Sequence, residues 1–158
     1  VIPWQMEDAP RAFEIYSNHE DSRFIRDYPE ESIESQQRTF KIIFERFKIL
    51  GSPYGWWAIH HRMDDLIIGT INLKPLPGFP EVEIGYHLSK EYWGKGIATE
   101  AAIACAEHGF RNLPLPRLVT VIDPENSRSS AVSERAGFHL SGQVQVYGST
   151  HMLYVRSR

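Results

Sequence analysis

The sequence predicts a mixed α/β, or α+β, layer fold, and three observations carry that prediction. Segments with helical hydrophobic period alternate with short β-branched runs along the whole chain. Loops rich in proline and glycine separate these segments. A Gly-x-Gly pair, Gly94-Lys95-Gly96, sits between a strand-like run and an alanine-rich helix. The predicted order is β-α-α-β-β-β-α-β-α-β-β.

Val1 to Trp4 reads as the end of a strand, and the start at Val1 leads us to expect a few native residues before it. Glu7 and Asp8 suit the first turn of a helix running to about Asn18, with Met6, Ala9, Phe13 and Tyr16 along one face. Asp21 to Pro29, with Arg23, Arg26 and Tyr28, reads as irregular. A second helix begins near Ser32, and its Phe40, Ile43, Phe44 and Phe47 follow the i, i+3, i+4, i+7 rule of a core-facing stripe. Gly51-Ser52-Pro53 ends it.

Trp56–His61 and Leu66–Leu73 flank Met63-Asp64-Asp65 and predict a hairpin. Pro75 to Pro80 is a loop. Val82, Ile84, Tyr86 and Leu88 alternate with Glu81, Glu83, Gly85 and His87, so this strand has two distinct faces. Gly85 in its middle suggests a bulge or a close approach by a ligand. A helix to about Asn112 follows the glycine pair, then a rigid Leu113–Pro116 connector and a strand from Arg117 to Ile122. Asn126 or Ser127 can cap a short helix from Arg128 to about Ala136, stopped by Gly137. Phe138–Tyr147 and His151–Arg156 form a terminal strand pair.

At 158 residues the chain is expected to form one domain. A net charge of −3 supplies no basic field for nucleic acid. No apolar run reaches the ~20 residues of a membrane span, so no membrane partner is expected. One cysteine precludes an internal disulfide and fits a reducing, cytoplasmic setting. His60 and His61 point to opposite faces of a strand, and no metal-ligand spacing occurs elsewhere, so no metal is expected. Cys105 among alanines reads as a small buried residue.

The Gly-x-Gly turn is a candidate anion cradle. Glycines at a strand-to-helix junction turn backbone N–H groups inward, and the helix start adds unpaired donors and a positive dipole end. That combination can cradle an anion such as phosphate; it also occurs as a plain tight turn. A nucleotide-binding pattern of the Gly-x-Gly-x-x-Gly or P-loop type is absent.

Three motifs in order bear a family resemblance: Glu83-Ile84-Gly85-Tyr86, then Tyr92-Trp93-Gly94-Lys95-Gly96-Ile97-Ala98-Thr99-Glu100-Ala101, then Asp123-Pro124-Glu125-Asn126-Ser127-Arg128-Ser129 leading to Glu134–Phe138. Together they resemble the GNAT superfamily of acetyl-CoA-dependent N-acetyltransferases, most closely its ribosomal-protein N-terminal alanine/serine acetyltransferase group. The resemblance implies a central mixed, mostly antiparallel sheet with helices on both faces. It places the pyrophosphate of acetyl-CoA on Trp93, Gly94, Lys95, Gly96, Ile97, Ala98 and Thr99. The pantetheine arm would lie along Glu83–Leu88, with a backbone N–H near Tyr86, His87 and Leu88 polarising the thioester carbonyl. Asn126, Arg128 and Ser129 would complete the cofactor site.

Amine acetylation needs a neutral amine and a proton for the departing thiolate. Glu83 is the first candidate base, Glu81 the fallback and His87 a third option. Ser133, seven residues after Asn126, stands where the resemblance implies an acid or proton relay. It also reads as an ordinary helix serine, and Glu83 as a paired strand glutamate. Trp56, Trp57 and Tyr86 could line the acceptor groove or belong to the core. The function expected is acetyl transfer to a primary amine, a protein N-terminus or small amine, by a monomer or homodimer. A non-catalytic acyl-CoA sensor of the same fold is the alternative.

Overall fold

The computed structural model describes residues 1–17, 23–25 and 31–158. Its elements run β1 (Ile2–Pro3), α1 (Ala9–Tyr16), α2 (Ile33–Leu50), β2 (Gly55–His61), β3 (Leu66–Pro75), β4 (Val82–Leu88), α3 (Ile97–Asn112), β5 (Arg117–Ile122), α4 (Ser127–Arg135), β6 (His139–Val146) and β7 (Ser149–Ser157). This is the predicted order. The strands form one sheet, β1-β2-β3-β4-β5-β7-β6. Every neighbouring pair is antiparallel except β4 and β5, which run parallel.

Helices cover both faces. On one, Ala9, Ala12, Ile15 and Tyr16 of α1 pack with Phe40 of α2, Trp4, Ala58 and Ile67. On the other, Ala101, Ala102, Cys105 and Ala106 bring α3 onto a wall that includes Ile68, Ile71, Leu73, Ile84 and Leu118. Small residues make that approach possible. A Cβ on Gly109 would fall 2.9 Å from the Leu118 side chain. Burial pushes the Cys105 thiol up to about 12, in keeping with its reading as a core residue.

Local signals explain the helix ends. Ser32 and Ser35 cap α2 reciprocally, each side chain accepting the other's backbone N–H at 3.2 Å. Gly51, at φ 68°, closes that helix. The α1 face differs from expectation: Phe13 is only partly buried, while Ala12 and Ile15 are buried. Met6–Asp8 forms a 3-10 turn ahead of the α-helix. Its tighter winding displaces the phase counted from Met6. The expected continuation to Asn18, together with Arg26 and Tyr28, lies outside the described residues.

Three further expectations resolve in the sheet. Gly85 makes no bulge; it pairs in register with Asn72, and the ladder irregularities fall at Ile59/His60 and Leu140/Gly142 instead. A Cβ on Gly85 would lie 3.0 Å from the Asn72 amide, so the glycine makes room for a protein side chain. Both tryptophans pack against the core. Trp56 stacks on Trp4 at 5.3 Å beneath α2, and Trp57 meets His108 of α3 edge-on at 5.6 Å.

Candidate active site

The site begins where the sheet opens. β4 and β5 share a single register pair, Glu83 opposite Val119. Beyond it the strands part around a cavity of about 1160 Å³, lined by Gly85–Leu88 of β4, Thr120–Asp123, the glycine turn and the start of α4. Two parallel strands bonded at one point leave backbone groups on their facing edges that an extended guest can pair with.

The glycine turn forms the cavity's upper wall. Gly94 and Gly96 adopt φ of 72° and 80°, and no atom lies within 4 Å of a Cβ built on either. Gly96 caps α3, whose first intrahelical bond runs from Glu100 N–H to the Gly96 carbonyl at 3.0 Å. The amides of Ile97, Ala98 and Thr99 therefore head the helix outside its ladder. Thr99 Oγ1 is buried without a partner among the described residues. Trp93, Gly94, Gly96, Ile97, Ala98 and Thr99 all line the cavity. Lys95 does not. Its ammonium sits 4.8 Å above the Tyr92 ring.

Side-chain bonds fasten this turn. Tyr92 donates its hydroxyl to Asp64 of the β2–β3 hairpin at 2.6 Å, and Trp93 donates Nε1–H to the Leu88 carbonyl at 2.8 Å. The Tyr92 bond holds the Asp64 carboxyl below its ordinary range. Arg128, at the start of α4, stacks its guanidinium on Trp93 at 4.8 Å. Asn126 acts as the helix cap, its Oδ1 accepting Ser129 N–H at 3.1 Å, while it also lines the cavity.

Tyr86 and Ser133 come together. Tyr86 donates to the Ser129 carbonyl at 2.8 Å, and its oxygen is 3.1 Å from Ser133 Oγ, which in turn lies 2.8 Å from Thr120 Oγ1. Tyr86 lines the cavity; Ser133 is wholly buried behind it. Burial pushes the Tyr86 phenol up to about 12, so it keeps its proton throughout the physiological range.

Glu83 and His87 project from the β4 face opposite α3. Glu83 is buried and meets Tyr147 and Lys74. His87 stacks on Tyr16 of α1 at 4.9 Å, and burial lowers its pKa to about 4. Glu81 is taken up in an ion pair with Arg117 of β5. Sequence reasoning missed Tyr147, Lys74 and Thr120. Tyr147 alone carried a local signal, since Tyr147-Gly148 is a two-residue hairpin turn with φ of 53° and 78°.

Residues 1–139 match the family model described as the acetyltransferase (GNAT) domain. The chain belongs to the GNAT acetyltransferase family. The Bacillus subtilis protein YoaA, an uncharacterised N-acetyltransferase, is 30% identical over 145 residues, covering 89% of this chain and 79% of its own. An acetyltransferase from Agrobacterium tumefaciens has the same fold at a TM-score of 0.82, with 27% identity, 99% of this chain and 89% of that one covered. Mycobacterium smegmatis RimJ, solved in complex with CoA-disulfide, superposes with a TM-score of 0.80 at 20% identity, covering 98% and 79%. Ribosomal-protein-S5-alanine acetyltransferase from Vibrio fischeri does so at 0.70 and 22%, covering 98% and 90%. As a GNAT protein this chain is an acetyltransferase. Its site fits a CoA thioester on its own features: two open left-handed glycines, unladdered helix amides and a Thr99 hydroxyl with no partner among the described residues. Among the described residues no group of three or more His, Cys, Asp or Glu side chains could hold a metal ion. No helix there is long and apolar enough to cross a membrane.

Proposed function

We propose that the protein transfers the acetyl group of acetyl-CoA to a primary amine by direct attack in a ternary complex. One observation carries the reading: the parallel strands β4 and β5 meet only at Glu83–Val119, and the cavity they open ends on the glycine turn. The amides of Gly94–Thr99 hold the pyrophosphate, with Arg128 alongside, and the free edge of Tyr86, His87 and Leu88 pairs with the pantetheine arm. A backbone N–H on that edge polarises the thioester carbonyl, an effect worth about 3 kcal/mol in comparable sites. Asn126 and Ser129 hold the lower wall through their cap. Acetyl-CoA supplies the activated acetyl group.

A new C–N bond replaces the C–S bond, the amine loses one proton and the departing sulfur gains one. Glu83 takes the first, directly or through water. The second comes from the Tyr86–Ser133 pair, with the phenol at the cavity and the serine behind it. The acceptor is a protein N-terminus or a small amine. The N-terminal choice is supported by the sequence motifs and the likeness in fold to the Vibrio fischeri enzyme. One domain over residues 1–158, as a monomer or homodimer in the cytoplasm, completes the reading; the single cysteine suits that compartment.

The test is acetyl-CoA turnover against a panel of N-terminal peptides, polyamines and other small amines, read by thiol release. Saturable, amine-dependent release is expected, and Glu83→Gln should lower it most at low pH, where the amine most needs a base. Tight acetyl-CoA binding with no turnover on any amine would point to the acyl-CoA sensor instead. Absence of CoA binding would sink both.

A further inference from the structure

Three polar side chains from separate parts of the sheet converge beside the β4–β5 contact. Lys74 of β3 lies opposite Glu83 of β4 in the ladder. Tyr147 reaches both from the β6–β7 turn, 64 residues further along the chain. Its hydroxyl donates to Glu83 Oε2 and accepts from Lys74 Nζ at 2.9 Å. Nζ is also 3.5 Å from the same carboxylate oxygen. Among the described residues Glu83 Oε1 takes no hydrogen bond.

The cost of building this cluster argues for a purpose. Glu83 is 7% exposed and Lys74 24%, and a buried carboxylate is expensive unless charge and hydrogen bonds compensate it. Tyr147 is held at φ 53°, a left-handed conformation that non-glycine residues rarely adopt. Other groups approach from each side. Arg46 of α2 acts on Tyr147 through its charge, His151 of β7 lies edge-on to the Tyr147 ring at 6.1 Å, and Glu81, paired with Arg117 of β5, stands two residues before Glu83. Val119 of β5, directly opposite Glu83, is apolar and buried. Burial and the adjacent carboxylate raise the Tyr147 phenol far above its ordinary range, so it stays a hydrogen-bond donor.

We propose that Lys74 and Tyr147 are positioning residues that hold Glu83 by Oε2 and leave Oε1 to meet the acceptor amine. The inference rests on Glu83 as the base. The direct Lys74–Glu83 approach is long for a charge-assisted bond, and the phenol fills the gap between them. The base is thereby fixed from two elements outside its own strand.

The test uses the whole chain with Tyr147→Phe, Lys74→Met and Glu83→Gln. With acetyl-CoA and an alanine-N-terminal peptide, each donor variant should lose about tenfold in kcat with the KM for acetyl-CoA unchanged. Wild-type kcat in both donor variants, or a loss that falls on the KM for acetyl-CoA instead of kcat, overturns the proposal. Full turnover by Glu83→Gln overturns the base reading itself, because no base would then be left to position.

Discussion

The Tyr86 hydroxyl bridges β4 to α4, donating to the Ser129 carbonyl at 2.8 Å while standing 3.1 Å from Ser133 Oγ. This arrangement separates two roles. Ser133 is fully buried, with Thr120 Oγ1 as its second partner, so Ser133→Ala strips that threonine of its bond. We expect a stability loss of about 1–2 kcal/mol by urea denaturation. Tyr86→Phe removes the hydroxyl of a cavity-lining residue and should lower kcat by about 10–100-fold. If Ser133 works through Tyr86, Ser133→Ala costs kcat less than Tyr86→Phe does. Equal or reversed losses would put the serine in direct contact with the reacting atoms.

Two glycines of the site should fail in different ways. Gly96 is left-handed with open space around its missing Cβ, whereas a Cβ on Gly85 would lie 3.0 Å from the Asn72 amide. Gly96→Ala should cost about 1 kcal/mol in backbone strain. Its methyl also enters the anion cradle, and CoA affinity by titration calorimetry should fall about tenfold, or about 1.4 kcal/mol. Gly85→Ala presses on a protein side chain, so we expect about 1 kcal/mol of destabilisation. Its CoA affinity should change by less than about threefold, under 0.7 kcal/mol. An equal loss of CoA affinity in both variants would mean that Gly85, too, is needed for close approach by the ligand.

Much of this was legible because it is written locally. The glycine turn, the Ser32 and Asn126 caps and the two-faced β4 strand each depend on residues within a few positions of one another. What the sequence could not supply is which distant groups share a face. Lys74, Glu83 and Tyr147 meet only because the sheet runs β3-β4-β5-β7-β6, which returns the terminal hairpin beside the centre of the chain. The same limit hid the partners of Glu81 and the burial of Ser133 behind Tyr86. The α1 error had a different cause. A 3-10 turn and an α-turn begin with the same acidic and proline signals, yet they set different faces.

His87 makes the clearest prediction about pH. Its ring stacks on Tyr16, Nε2 is buried without a partner among the described residues, and burial lowers its pKa from 6.5 to about 4. Above pH 6.5 the imidazole is neutral in both folded and unfolded chains, and the fold keeps its full stability. As the pH falls toward 4 the unfolded chain takes up a proton that the folded ring refuses, so stability is lost across that window. The loss should be on the order of 2 kcal/mol, with some relief from water entering through the cavity. His87→Phe preserves the stacking on Tyr16 and removes the titration. Urea denaturation at intervals from pH 7 to pH 4 should therefore show a shallower decline in the variant, the difference growing below pH 6. Parallel declines would mean that the imidazole is protonated in place, with a counter-charge beside it.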